Sequence, residues 1–291
     1  MSSQTLFRPP AEANSLIIRI AEGCPWNNCT FCGMYKQVTY RLLSFEEIES
    51  NIAEAYKINP LSRKIFLADG DVMLLSTDKL QNILQLINSI FPRVTRINVY
   101  ANGGSILSKT DAQLLLLKSL KLNTLYMGLE SGDELTLKNV NKKDSAADMV
   151  AAVQKAQKAG MRMSVMILIG LAGQKNSNRH ANETASALNM MQPKLLSALR
   201  VIPIPGTKLF DEEQNGIFSQ LTEFQSIVEL REIISKLKLK NCVFRANHSS
   251  NILPLEGRFP KDKGRIISEL DYLIDSGMLS KTSPAESPLW L

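Results

Sequence analysis

The chain has 291 residues, of which 44% are hydrophobic and 21% charged, with a net charge of +6 and a pI near 9.1. This balance is that of a soluble globular chain with enough length to bury a large core, and it excludes a disordered or fibrous one. No apolar stretch approaches the roughly 20 residues of a membrane span, and Met1 to Pro10 lack the charged start and apolar block of a secretory signal. The Lys and Arg residues are dispersed, without a basic run carrying interleaved aromatics, so they read as a solvated surface; an anionic substrate is permitted and a nucleic-acid partner is not expected.

In chain order, Leu16-Ile17-Ile18-Arg19-Ile20 is a β-branched run predicting a first strand. It leads directly into Cys24-Pro25-Trp26-Asn27-Asn28-Cys29-Thr30-Phe31-Cys32, closed by Gly33. Ser44-Phe45-Glu46-Glu47 is a capping box, with Phe45, Ile48, Ile52 and Ala55 at helical spacing behind it. Lys64 to Ala68 predict the second strand, ending in Asp69-Gly70-Asp71. Leu80, Ile83, Leu84, Ile87 and Ile90 form one helix face, stopped by Pro92. Val94 to Tyr100 predict the third strand, closed by Ala101-Asn102-Gly103-Gly104, and Thr110 with Gln113 caps a helix through Leu120. Thr124 to Leu129 predict the fourth strand, followed by Glu130-Ser131-Gly132 and a helix from Ala146 to Ala159 with Gly160 in the stop position. Met163 to Ile169 predict the fifth strand before Gly170-Leu171-Ala172-Gly173, with a helix over Arg179 to Met191. Leu196 to Ile202 predict the sixth, before Pro205-Gly206-Thr207.

Six apolar runs alternating with helices mean parallel strands covered on both faces, which right-handed crossovers roll into a barrel or an open three-quarter barrel. The expected fold class is α/β, a partial (β/α)6 TIM-like barrel with a C-terminal helical extension. The domain expectation is an N-terminal arm over 1–15, a core over 16–215, and an extension over 216–291 that closes the barrel and shapes the substrate pocket. In that extension Thr222 opens a helix, Asn241 to Asn251 read as a final edge strand and a polar loop, and a last helix precedes a tail with little structure from Ser280. Reacting groups in such folds sit where strands end and helices begin, and the short polar and glycine-rich stretches of this chain fall there. Any one of these turns alone is ordinary turn chemistry.

The cysteine loop carries most chemical information. Three of the four cysteines lie within nine residues, in a C-x4-C-x2-C spacing, and the fourth, Cys242, is remote. Thiolates packed this closely converge on a soft, positively charged partner. A cluster held by three protein thiolates keeps one iron open to a small molecule. Zinc, a plant-type ferredoxin cluster and unpaired structural thiols remain as alternatives, each wanting a fourth nearby ligand or no ligand at all. Clustered rather than scattered cysteines point to a reducing cytoplasm.

A three-cysteine loop after the first strand of a (β/α)6 chain resembles the radical S-adenosylmethionine (radical SAM) superfamily. The resemblance covers about Leu16 to Asp211 and is nearest in flavour to the branch with oxygen-independent coproporphyrinogen oxidase, the Elongator catalytic subunit and tRNA methylthiotransferases. Phe31 before the last cysteine, Gly128-Leu129-Glu130-Ser131-Gly132 and Pro205-Gly206-Thr207 carry it. Three departures stand beside it: the family's usual C-x3-C-x2-C gains one residue here, its Gly-Gly-Glu is Asp69-Gly70-Asp71, and its strand-five glycine pattern ends in Gly173.

The resemblance implies one [4Fe-4S] cluster on Cys24, Cys29 and Cys32, with SAM chelating the open iron. It further implies SAM contacts from Phe31, Gly33, Asp69, Gly70, Asp71, Asn102, Glu130, Ile169 and Ile202. One-electron reduction would then cleave the S–C5′ bond and release a 5′-deoxyadenosyl radical that takes hydrogen from a small or medium-sized substrate. An electron donor such as flavodoxin or ferredoxin is the implied partner. The alternatives are transfer of the 3-amino-3-carboxypropyl group, a non-catalytic iron–sulfur or haem carrier on the same fold, and a tRNA-modifying enzyme. Cys242 alone holds no second cluster, which argues against the auxiliary-cluster subgroups. Arg200 and His248 are the candidate substrate contacts; His180 and His248, the only histidines, each fit a hydrogen-bonded structural role as well.

Overall fold

The computed structural model describes residues 6–288. Eight strands follow the order β1 (Leu16–Arg19), β4 (Lys64–Ala68), β5 (Arg96–Tyr100), β6 (Leu122–Glu130), β7 (Arg162–Ile169), β8 (Leu195–Arg200), β9 (Cys242–Ala246) and β10 (Leu255–Phe259) in one sheet. The pairings β1–β4, β4–β5, β5–β6, β7–β8 and β8–β9 are parallel, and β10 runs antiparallel to β9. This mostly parallel sheet with its helices is the expected α/β, partial TIM-like class. By contact density the chain divides into two compact units.

The first unit comprises the described part of Met1–Asn27 with Met34–Met127 and Ala151–Met163. Strands β4 and β5 are buried on both faces, Ile65, Phe66, Leu67, Ile97 and Val99 being 0% exposed, as continuous apolar runs require, while the edge strand β1 buries only Ile18. Helix α1 (Phe45–Ile58) starts on the expected box, Glu47 N–H donating to Ser44 Oγ and Ser44 N–H to the Glu47 carboxylate. Arg41 braces the same carboxylate from the two-stranded ribbon β2 (Ala21–Glu22) and β3 (Arg41–Leu42), which periodicity had not marked. Helix α2 (Thr77–Ile90) ends before Pro92, and α4 (Asp111–Ser119) starts on the Thr110–Gln113 box. The Asn102-Gly103-Gly104 turn is the opening of a short helix, α3 (Gly103–Leu107). Glu12 in the N-terminal arm is buried, accepting hydrogen bonds from Asn98, Tyr126 and Ser15.

The second unit comprises Asn28–Gly33, Gly128–Val150 and the described part of Ser164–Leu291. It adds two short helices to which the sequence pattern assigns no element, α5 (Glu134–Asn139) and α8 (Lys208–Gln214); α6 (Ala146–Lys158) begins in it. Helix α7 (Gly173–Met191) begins at the glycine turn itself, so those glycines form a helix start. The extension holds α9 (Glu223–Lys236), opened by the Thr222–Gln225 box, and α10 (Lys263–Asp275), and it contributes strands as well as helices. β9 is interior, paired on both sides, and the edge belongs to β10. That strand hides in the sequence because Pro254 and Pro260 flank it and Gly257 interrupts its pattern. Leu255 and Phe259 point inward, and a Cβ at Gly257 would come within 2.9 Å of Ile266. No helix among the described residues is long and apolar enough to cross a membrane.

Candidate active site

In the first unit, Cys24 sits against the turn that follows β4. Gly70 has φ +46°, and a Cβ there would overlap the Gly23 carbonyl and come within 3.0 Å of the Cys24 Cα, so this close approach needs glycine. Asp69 is 2% exposed; burial pushes its carboxyl up to about 6, against the pull of Arg19, whose Nε lies 3.5 Å away. Tyr35 lies beside Asp69 and Gly70, its phenol pushed up by burial and then by the Asp69 charge. Asp71 faces the turn after β5, accepting the Asn102 N–H at 3.3 Å, the Asn102 side-chain amide at 3.1 Å and the Ser105 hydroxyl at 2.8 Å. Two expected site residues, Asp71 and Asn102, therefore meet directly, and the Asp71 carboxylate is committed to fixing that turn.

In the second unit, the loop Asn28–Gly33 is pinned on both sides. Thr30 N–H donates to the Val140 carbonyl at 3.0 Å, Leu209 N–H to the Thr30 carbonyl at 2.9 Å, and the Asn141 amide to the Asn28 carbonyl at 3.1 Å. Phe31 packs on Val140, Leu171, Val201 and Leu209, and Gly33 lies against Ile204 and Thr207. Segment 140–142, held by these bonds, carries Lys142 within electrostatic range of Cys29. Its ammonium is buried, 3.1 Å from Glu130 Oε1. Burial opposes the charge, but Glu130 and then Cys29 outweigh it and raise Lys142 above its ordinary value. Glu130 itself adopts φ +61°, a left-handed conformation that costs a non-glycine residue about 1–2 kcal/mol. Strain of this kind at the end of a strand, on a buried charged residue, marks a constrained position. Sequence reasoning missed Lys142; its one signal was a lysine twelve residues after Glu130, past a turn.

Ile169 and Arg200 are register partners at the ends of β7 and β8, and Val201 N–H donates to the Ile169 carbonyl at 2.9 Å. Ile202 is 8% exposed. Arg200 is buried, its Nε donating to the Ser250 carbonyl at 2.7 Å and Nη2 to the Glu286 carbonyl at 2.9 Å, so the tail is tied to the end of β8. His248 is half-buried after β9; its Nδ1 accepts the Ser250 N–H at 3.1 Å, and burial lowers its pKa. Ser250 thus brings Arg200 and His248 into one cluster. His180 is fully buried between Ser131 and Glu229.

None of the four cysteines forms a disulfide; Cys24, Cys29 and Cys32 are half-buried. Half-buried, partly solvated thiols free of disulfides are a donor set that fits an iron–sulfur cluster. Among the described residues no three His, Cys, Asp or Glu side chains converge on a single metal ion, a condition that a cluster, being larger than an ion, does not impose. Cys242 is 1% exposed and burial pushes its thiol up to about 12. Iodoacetamide applied to the native, cluster-free chain is therefore expected to modify the three loop cysteines and spare Cys242 until denaturant is added, as read by peptide mass spectrometry.

A mostly parallel α/β sheet whose first strand runs into a loop of thiols defines an iron–sulfur enzyme of the partial-barrel type. The model described as the Radical SAM superfamily matches residues 18–181, more than half of the chain, and the chain belongs to that superfamily. It is a radical SAM enzyme, with a [4Fe-4S] cluster and S-adenosylmethionine as its cofactors. Among solved structures, methylornithine synthase (PylB) is similar with a TM-score of 0.54 at 18% identity, over 94% of this chain and 83% of that one. Elp3 from the archaeon Methanocaldococcus infernus is similar with a TM-score of 0.51 at 12% identity, over 82% of this chain and 60% of that one. Both likenesses concern the fold. Hopanoid C-3 methylase from Methylococcus capsulatus is 24% identical over 203 residues, 69% of this chain and 37% of that protein. The heme chaperone HemW from Bacillus subtilis is 19% identical over 180 residues, 62% of this chain and 47% of that protein. The chain thus spans less than half the length of these curated relatives.

Proposed function

We propose that this enzyme cleaves SAM reductively at the S–C5′ bond and uses the resulting 5′-deoxyadenosyl radical to take hydrogen from a small or medium-sized organic substrate. Cys24, Cys29 and Cys32 hold the cluster. The backbone carbonyls of the Ala68-to-Asp71 turn, with Asp69 behind them, accept from the methionine ammonium, and Asp71 keeps Asn102 in place. Glu130 accepts from a ribose hydroxyl or the methionine amine, while Phe31, Gly33, Ile169 and Ile202 supply the apolar and backbone surface for adenine. The extension, 216–291, shapes the substrate pocket, with His248 as its polar contact and Arg200 bracing His248 through Ser250. A small flavodoxin or ferredoxin in a reducing cytoplasm supplies the electron.

The observation that carries this reading is the pinned loop, with Cys29 beside the buried Lys142 and Lys142 in turn on the strained Glu130. Strain and a desolvated ion pair are costs that a strand end bears where a ligand must be positioned. The test is product analysis after dithionite reduction of the anaerobically reconstituted chain with SAM. 5′-Deoxyadenosine is the expected product. Methylthioadenosine instead would indicate transfer of the 3-amino-3-carboxypropyl group. A fully loaded cluster that leaves SAM intact would favour the carrier reading, which the similarity to a heme chaperone keeps in view.

A further inference from the structure

The buried polar chain in the second unit has no part in the reading above except through its neighbour Glu130. It begins at Ser131, the residue after the strained glutamate. Asp133 N–H donates to Ser131 Oγ at 3.0 Å, and Ser131 Oγ lies 2.8 Å from His180 Nδ1. The Ser131 hydroxyl has a second lone pair as well as its proton, so it pairs with Nδ1 in either tautomer; when it donates to Nδ1, the imidazole proton sits on Nε2 and faces Glu229. Nε2 stands 3.5 Å from Glu229 Oε1, a charge-to-ring proximity without a hydrogen bond. Glu229 then accepts the Gly170 N–H at 2.7 Å and the Ser177 hydroxyl. The turn is clamped from a second side, since Gly132 N–H donates to Thr184 Oγ1 at 2.9 Å and a Cβ at Gly132 would overlap the Glu183 carbonyl.

Ser131, His180 and Thr184 are 0% exposed and Glu229 is 2% exposed. A serine, histidine and glutamate in this order invite comparison with a nucleophilic triad, but a serine sealed from solvent has no substrate to attack. The carboxylate holds the Gly170 N–H and the Ser177 hydroxyl, the imidazole holds Ser131 through Nδ1, and a buried set of this kind rigidifies what it holds. What it holds are the turns after β6 and β7, the first carrying Glu130 at φ +61° and the second Gly170 at φ +83°. Glu229 belongs to α9, beyond the matched residues 18–181.

We infer that Ser131, His180 and Glu229 are positioning residues for SAM: through them helix α9 of the extension holds the Glu130 turn in its strained, ligand-ready conformation. This rests on the proposed role of Glu130. Without the relay, the turn relaxes toward ordinary backbone conformations, and bound SAM must restore the strain from its own binding energy.

The test is SAM affinity of the cluster-loaded chain, by equilibrium dialysis, alongside iron content, thermal midpoint and the change SAM makes in the EPR spectrum of the reduced cluster. Glu130→Gln controls for the underlying reading. Ser131→Ala removes one buried oxygen and is expected to weaken SAM binding roughly 5- to 10-fold, the effect of stranding a buried hydrogen-bond partner. Glu229→Ala is expected to weaken it about 10-fold or more, and Glu229→Gln, which still accepts from Gly170, to restore most of the loss. Iron content should stay at the wild-type level, and the SAM-induced EPR change should shrink in step with affinity. If Glu130→Gln weakens binding while Ser131→Ala and Glu229→Ala lower only the thermal midpoint, the relay is a core element and the inference is overturned. If Glu130→Gln itself leaves SAM affinity unchanged, the reading of Glu130 fails first and the inference with it. Should Glu229→Ala not fold, Ser131→Ala decides alone.

Discussion

Replacing Cys24, Cys29 or Cys32 by alanine is expected to leave the chain folded and unable to retain iron, falling from about four irons per chain to well below one. All three side chains are half-buried, so their loss opens no core cavity. The loop around two of them is held by backbone bonds of Thr30 and Leu209 that a side-chain change does not touch. The effect is therefore on ligation: two remaining thiolates cannot keep a cluster that already uses fewer protein ligands than the usual four. Cys242→Ala should do the reverse. That thiol is packed in β9 at 1% exposure, so its loss costs about 1 kcal/mol of stability and leaves the iron content unchanged. Iron assay and the sulfur-to-iron charge-transfer absorption after anaerobic reconstitution decide it. A loop variant that keeps full iron, or a Cys242 variant that loses it, would remove Cys24, Cys29 and Cys32 from their proposed role.

What could be read from the chain follows the range of the forces involved. Strands β4 to β8 and the helices after capping boxes were legible because apolar periodicity and caps are local, and Ser44–Glu47, Thr110–Gln113 and Thr222 behaved as such boxes do. Elements that exist by tertiary partnership were not. The ribbon β2–β3 has two residues per strand and a cross-link through Arg41; β10 needs β9 beside it and Ile266 over its glycine. The arm looked featureless, yet Glu12 is buried because Asn98 and Tyr126 lie more than 80 residues away to receive it. The same division runs through the site. Spacing put Cys24, Cys29 and Cys32 together and turn chemistry marked Asp69 to Asp71, Asn102 and Glu130. Spacing does not reveal that Lys142 reaches Cys29, or that a glutamate of α9 reaches a histidine of α7, because those contacts depend on which loops the sheet brings into register. Arg200 illustrates the converse: its type and place on a strand marked it as a substrate contact, and its guanidinium is engaged by two backbone carbonyls.

Lys142→Met is expected to be the most destabilising single change in the second unit's site. The Glu130 carboxylate would remain, buried and without its ammonium at 3.1 Å; stranding one member of a buried pair costs about 3 kcal/mol or more, a fall in thermal midpoint on the order of 10 °C. Glu130→Gln should cost less, because the ammonium keeps the neighbouring Cys29 that also favours its charged form. The double variant, lacking both charges, should recover part of the loss, with a coupling of about 1–3 kcal/mol in a double-mutant cycle. Loss of stability and loss of redox poise are separable here. In the loaded protein the Lys142 charge favours the more negative, reduced state of anything Cys29 ligates, so Lys142→Met should lower the cluster's reduction potential whereas Glu130→Gln should raise it. Thermal melts of the four chains give the coupling, and dithionite or photoreduction titrations followed by EPR give the potentials. Additive melting losses would mean that the pair is not coupled, and potentials unmoved in both single variants would mean that Lys142 acts on Glu130 alone and leaves the cluster's electrostatics to the backbone.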